Sequence, residues 1–316
     1  MALFDSITEP MSDIYYWEYA LQPRAALNAH SGTEPRRGVL IRIGEGHGCI
    51  HPWPELGDDS LEVQLRFLAE GVETPLIAGA RECALYDGEM RKHGVGLQQP
   101  IPESHWLVRP GDDPGFAREE GFRIAKIKGT RDSATTRSEM RRWIEAGFAV
   151  RLDYNECLKP GGFLEFWRQL SDEEIEAIDF VEDPEEYSED GWSQLRAAGI
   201  KIGVDRDGGS RWQPGDVLVV KPARPDSDLS GESRFLMTSY MDHAIGQMWA
   251  AHKAATIYEG ELSFQKLACG LLTHRCYDDD DFFERLCTDG PRLLPVRGTG
   301  LGFDDLLEKL PWKRLA

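Results

Sequence analysis

The sequence predicts an α/β protein in which an α+β unit over the first hundred or so residues is followed by a closed barrel of βα units. Two observations carry this expectation. Strand-like runs and then helical apolar spacing fill the first third of the chain, whereas from Phe122 onward short apolar strands alternate with amphipathic helices. Seven such strands are too many for a small open sheet, and closure into a barrel leaves no unpaired edge.

Residues 15–21 and 38–43 read as strands. The second is β-branched at Val39, Ile41 and Ile43 and runs into a Gly-rich turn, Gly44-Glu45-Gly46-His47-Gly48. Between Ser60 and Gly94 the spacing turns helical, with Leu61, Val63, Leu65, Leu68 and later Ala78, Ala80 and Ala84 on two helices split at Thr74-Pro75. Residues 101–114, with Pro102, Pro110 and Pro114, read as a linker or strand-bearing crossing segment and set a boundary near residue 115. Barrel strands are expected at 122–128, 149–153, 179–182, 202–205, 217–221, 234–238 and 268–272. Between them lie a helix over 138–146 with Met140, Trp143 and Ile144 on one face, and another over 163–170. Ser171 and Glu174 then have capping-box spacing, and a helix over 188–198 stops at Gly199. The expected organisation is 1–115, 116–290 and a C-terminal segment 291–316, whose Leu306, Leu307 and Leu310 return it to the N-terminal unit.

With 41% apolar and 29% charged residues over 316 positions, the chain has the composition of a folded soluble protein. No apolar run approaches the roughly 18 residues of a membrane span. The opening Met1-Ala2-Leu3-Phe4-Asp5-Ser6 lacks the order of a secretory leader, so a cytoplasmic protein with no membrane partner is expected. Thirty-six Lys and Arg against 55 Asp and Glu give a net charge of −19, which repels a phosphate backbone and argues against a nucleic-acid partner. The cysteines (Cys49, Cys83, Cys157, Cys269, Cys276, Cys287) show no CxxC pair and are expected as reduced thiols.

In a barrel of βα units the chemistry gathers where the strands run out. The first expected barrel strand ends Lys126-Ile127-Lys128, and strand alternation places both ammonium groups on one face. The following strand ends carry Asp153-Tyr154-Asn155, Glu182-Asp183-Pro184, Asp205 and Lys221-Pro222. Three carboxylates on successive strand ends, Asp153, Glu182 and Asp205, are hard oxygen donors suited to one Mg²⁺, or Mn²⁺ in its place. A lysine close to another lysine and to a cation loses basicity and becomes usable as a general base. That pairing suits removal of the weakly acidic proton beside a carboxylate, which leaves an enediolate in need of a cation. The expected partner is a small-molecule carboxylate; monomer and homo-oligomer both stay open.

In order and spacing these residues resemble the signature of the enolase superfamily, and lysines on both sides of the metal site are similar to the muconate-cycloisomerase subgroup. Arg151 two residues before Asp153, and Thr238-Ser239-Tyr240-Met241-Asp242-His243 at a strand end, resemble the o-succinylbenzoate synthases. The Gly46 to Pro54 stretch resembles the capping-domain loop that closes over substrate. The resemblance implies a modified TIM-type (β/α)7β barrel with an N-terminal α+β capping domain. It also implies Mg-dependent dehydration of 2-succinyl-6-hydroxy-2,4-cyclohexadiene-1-carboxylate to o-succinylbenzoate, a lyase step of menaquinone biosynthesis. By matched position Lys128 is the base and then the acid, Lys221 stabilises the enediolate from the opposite face, and Lys126 polarises the carboxylate. Asp153, Glu182 and Asp205 hold the metal, and Arg151, Asn155, Ser239 and Asp242 bind substrate. Asp205-Arg206, Tyr240 and Asp242 stand where the family usually has Asp-Glu, Ser and Glu, which alters the contacts around the metal acid and in the pocket.

The same lysine pair also serves an N-succinylamino acid racemase or dipeptide epimerase, and a non-catalytic barrel is the reading from a different class. Elsewhere the expectations are structural. Asp278 to Asp281 lacks calcium-loop spacing, Gly298-Thr299-Gly300-Leu301-Gly302 reads as a flexible connection, and His47 and His51 are expected in an exposed lid loop.

Overall fold

The computed structural model describes residues 13–28, 30–205, 208–225, 234–259 and 267–315, so Arg206 and Asp207 lie outside the described residues. The chain opens with an antiparallel sheet of β1 (Ile14–Leu21), β2 (Arg36–Ile43) and β3 (Gly46–Ile50), packed on α1 (Leu61–Glu70) and α2 (Pro75–Lys92). The break at Thr74-Pro75 is the N-terminus of α2, where the Thr74 hydroxyl accepts from the Ile77 N–H and Pro75 occupies the first turn.

The Gly-rich segment is not one turn. Only Gly44 and Glu45 turn the chain, with Gly44 at φ 59°, and Gly46 to Ile50 is a fully buried strand. Its glycines are there for α2: a Cβ on Gly46 or Gly48 would collide with the carbonyls of Ala84 or Ala80. His47 and His51 are consequently buried rather than exposed. His47 pairs with Asp87 at 3.0 Å and His51 Nδ1 with the Tyr19 hydroxyl at 3.0 Å.

The second layer is a seven-stranded parallel sheet in sequence order. Its elements are β4 (Trp106–Leu107), α3 (Pro114–Glu119), β5 (Ile124–Lys128), α4 (Ser133–Glu145), β6 (Ala149–Asp153), α5 (Gly162–Trp167), α6 (Asp172–Ala177) and β7 (Ile178–Glu182). They continue as α7 (Glu189–Ala197), β8 (Ile202–Val204), α8 (Gly208–Arg211), β9 (Val217–Val220), β10 (Arg234–Met237) and α9 (Ala244–Glu259). The first barrel strand, β4, thus lies inside the Pro-rich crossing segment. The helix expected at 138–146 begins earlier, at Ser133, because Asp132 caps it through the Ala134 N–H. Ser171 and Glu174 form the capping box of α6.

The segment expected as a strand at 268–272 forms only two parallel bridges, Cys269 to Ser104 and Gly270 to Thr238. Those bridges nevertheless join the two edges of the sheet and make this segment the eighth position of the barrel. Leu152, Ile202, Val204, Trp143, Phe163 and Trp192 fill the space within and around the barrel. No helix among the described residues is long and apolar enough to cross a membrane.

The C-terminal segment carries a small hairpin, β11 (Thr288–Asp289) with β12 (Arg292–Leu293), then α10 (Asp304–Leu307) and β13 (Lys313–Arg314), which pairs with β1. The loop over 298–302 is fixed rather than free. The Leu301 N–H donates to Asp87, the Thr299 N–H donates to Asp304, and Arg91 bridges those two carboxylates. Four of its backbone donors are spent within the fold, those of Thr299 and Leu301 on carboxylates and those of Gly300 and Gly302 on the carbonyls of Val95 and Thr299, so they are not free to cradle a phosphate.

Candidate active site

Register decides which side chains meet at the barrel mouth. Lys128 is level with Asp153, and Asp153 with Glu182, across β5, β6 and β7. Asp205 follows β8 and Lys221 follows β9. Because β5 and β9 are four positions apart in an eight-position barrel, their lysines face each other across it. One cavity of about 590 Å³, open mouth included, is lined by Lys126, Lys128, Asp153, Asn155, Glu182, Asp205, Lys221 and Ser239. His105, Leu107, Thr238, Tyr240, Met241, Gly270 and Thr273 complete its barrel side, and Asn28, Trp53 and Leu56 from the capping domain roof it.

The charges are interleaved. Lys126 Nζ donates to both Glu182 oxygens at 2.8 Å and lies 2.8 Å from Asp153 Oδ2. Lys128 Nζ reaches the same Asp153 oxygen at 2.6 Å, and Asn155 Oδ1 at 3.4 Å. Lys221 is paired with Asp205, whose other oxygen, Oδ1, is buried with no partner.

Burial disfavours the Lys126 ammonium, but Asp153, Glu182 and Asp205 outweigh it and hold its pKa above the usual lysine value. Asp153, opposed by burial but facing Lys126 and Lys128, lies well below the usual carboxylate range. Burial and the Asp153 charge push Glu182 up to about 7.

The chemistry of the donor set fits a hard divalent cation. Three carboxylates stand on consecutive strand ends, and the unpartnered Asp205 oxygen is costly to bury without a cation or water. As they stand, no three His, Cys, Asp or Glu groups among the described residues form a ready coordination shell. Ammonium groups are paired with each of these acids.

Of the residues expected to bind substrate, Asn155 and Ser239 line the cavity, Ser239 with its hydroxyl 2.5 Å from that of Thr273. Arg151 and Asp242 do not. Arg151 is level with Lys126 and Phe180, one side-chain layer below the mouth, and is fully buried. There it donates to Asp179 at 2.8 Å, to the Ala268 carbonyl at 2.7 Å and to His105 Nδ1 at 3.0 Å, with the Phe180 ring 4.8 Å away. Asp242 is buried against Gly246, and burial pushes it up to about 7.

His105, on the segment leading into β4, is a cavity residue that the sequence reading missed. A guanidinium can only donate, so His105 Nδ1 accepts from Arg151 and the ring proton sits on Nε2. Burial first, and then the Arg151 charge, keep the ring neutral. Arg151 thus acts on the cavity through the tautomer of His105. Asn155, Asp183 and Met241, each just beyond a strand end, have φ of 44°, 41° and 52°, so backbone strain gathers at the barrel mouth.

A family model described as O-succinylbenzoate synthase, N-terminal domain, matches residues 14–90. An o-succinylbenzoate synthase of Bdellovibrio bacteriovorus is 34% identical over 329 residues, which cover 96% of this chain and 99% of that one. Among solved structures, a mandelate racemase/muconate lactonizing protein from Herpetosiphon aurantiacus matches with a TM-score of 0.71 at 15% identity, over 93% of this chain and 99% of its own. An enolase-superfamily member from Roseovarius nubinhibens, complexed with magnesium, matches at 0.67 and 18% identity over 96% and 98%. The structural likenesses show the capping-domain-plus-barrel fold, and the sequence likeness narrows it. The chain belongs to the o-succinylbenzoate synthase family and is an enzyme of the lyase class.

Proposed function

We propose that this enzyme dehydrates 2-succinyl-6-hydroxy-2,4-cyclohexadiene-1-carboxylate to o-succinylbenzoate, as a cytoplasmic, Mg²⁺-dependent step of menaquinone biosynthesis. The observation that carries the reading is one cavity with Lys128 and Lys221 facing each other across three carboxylates. Asp153, Glu182 and Asp205 would hold the Mg²⁺, which supplies positive charge beside the substrate carboxylate. The Lys128 amine takes the proton from the carbon bearing that carboxylate, and Lys126 and Lys221, as ammonium groups, balance the negative charge that develops. The new Lys128 ammonium then gives its proton to the departing hydroxyl, so a C–H and a C–O bond break, water leaves and the ring becomes aromatic. Trp53 and Leu56 cover the cavity and exclude bulk water.

The test is an ultraviolet assay for the aromatic product with and without Mg²⁺. Wild type should turn over only with the metal, and Lys128→Ala should lose about four orders of magnitude or more in kcat, as removal of an essential base does. Equal rates in the two proteins overturn the reading. A binding readout runs beside it: Mg²⁺ should raise the Tm of wild type and not of Asp205→Asn.

Amines on opposite faces of one cavity also suit proton removal on one face and return on the other, the chemistry of an N-succinylamino acid racemase or dipeptide epimerase. Deuterium incorporation with inversion at the α-carbon of an N-succinylamino acid, without dehydration of the cyclohexadiene, would favour that reading.

A further inference from the structure

Tyr240 links the capping domain to the catalytic side of the barrel. It is 6% exposed and lines the cavity, with the Lys221 ammonium 5.5 Å from the centre of its ring. That distance is within cation–π range. Its hydroxyl donates to Asp58 Oδ2 at 2.8 Å, and its carbonyl accepts from the Trp53 indole N–H at 3.0 Å. Asp58 is itself fixed in the turn that presents Trp53, accepting from the Trp53 backbone N–H at 2.8 Å.

The same carboxylate reaches the loop that begins at Lys221. Arg224 Nη1 donates to Asp58 Oδ1 at 3.1 Å, and the Arg224 N–H donates to the Lys221 carbonyl at 2.8 Å. Asp58 therefore gathers the ends of two barrel strands, β9 and β10, under the turn that roofs the cavity. Lys221 lies between Asp205 on one side and the Tyr240 ring on the other. A serine at position 240 could supply neither the ring face nor the reach to Asp58.

From these contacts we infer that Tyr240 and Asp58 form an interdomain clamp that positions Lys221, so that seating the Trp53 turn over the cavity and fixing the Lys221 ammonium are one event. Tyr240 is a positioning residue acting through Lys221. The inference rests on the dehydratase reading only for its kinetic arm. Positional control of a charged group over the reacting centre is worth one to two orders of magnitude in rate.

The experiment compares wild type with Tyr240→Phe, Asp58→Asn and the double variant in the full chain. Two readouts are taken: kcat and KM for dehydration, and the rate of Lys221 acetylation by acetic anhydride, resolved by peptide mass spectrometry. Tyr240→Phe should keep its far-ultraviolet dichroism, lose about tenfold in kcat with KM changed by less than about threefold, and expose Lys221 to acetylation at least about threefold faster. Asp58→Asn should reproduce both effects, and the double variant should be no worse than either single one, because both changes cut one link. Wild-type kcat and wild-type Lys221 labelling in Tyr240→Phe and Asp58→Asn, or single-variant losses that multiply in the double variant, overturn the clamp. If wild type fails to dehydrate the cyclohexadiene at all, the substrate assignment falls, while the labelling arm still decides the clamp.

Discussion

Replacing Asp242 by Asn should flatten the pH dependence of stability. Asp242 is 1% exposed, its Oδ1 has no hydrogen-bond partner, and burial pushes its pKa from 3.8 to about 7. The folded state therefore binds this proton more tightly than the unfolded chain does, and stability must fall as pH rises from about 4 towards 7. Above about 7 the carboxylate is ionised in both states and its contribution becomes constant. A tenfold difference in proton affinity is worth about 1.4 kcal/mol, so between pH 5 and pH 8 wild type should lose about 2–3 kcal/mol through this one group. Asparagine has the same shape and no charge to bury. Its own unpartnered N–H costs the same at both pH values and cancels from the comparison. Urea unfolding of wild type and Asp242→Asn at pH 5 and pH 8 measures the difference: the stability of the variant relative to wild type should rise by that amount at the higher pH. A difference that does not change with pH would refute the argument that the Asp242 proton is bound more tightly on folding.

Two further perturbations address the site and the capping domain. His105→Leu removes the Nε2 donor and should weaken o-succinylbenzoate binding about fivefold to tenfold by calorimetry, the worth of one neutral hydrogen bond. An unchanged dissociation constant would show that the proton on Nε2 does not meet the ligand. Gly48→Ala forces a methyl group onto the Ala80 carbonyl and should cost about 1–3 kcal/mol in chemical denaturation, because strand and helix backbones must separate; a neutral result would mean that α2 can withdraw from β3 freely.

The barrel mouth is legible in the sequence because its chemistry lies at strand ends, and the ends of short apolar runs are easy to locate. Lys126, Lys128, Asp153, Glu182, Asp205 and Lys221 are all expected at one cavity, and all line it. What escapes is set by depth or by tertiary approach. Arg151 shares a strand face with Asp153, but two residues along a strand is one layer down a barrel, and pattern alone does not say how deep a cavity reaches. His105 gives no signal, because β4 is two residues long and its neighbourhood is rich in proline. His47 and His51 look like loop residues because glycine-rich sequence reads as a turn. Here the glycines let a helix lie directly on a strand, and that is visible only once α2 is in place.

The pairing of Tyr16 with Lys313 means that the outer strand of the first sheet is synthesised only after the barrel strands. Until then a nascent chain carries β1 with one side of its backbone unsatisfied while the whole barrel is being made. Loss of the Lys313–Arg314 strand would leave that side permanently open to strands of other molecules, so a lesion far from any catalytic group should show itself first as self-association.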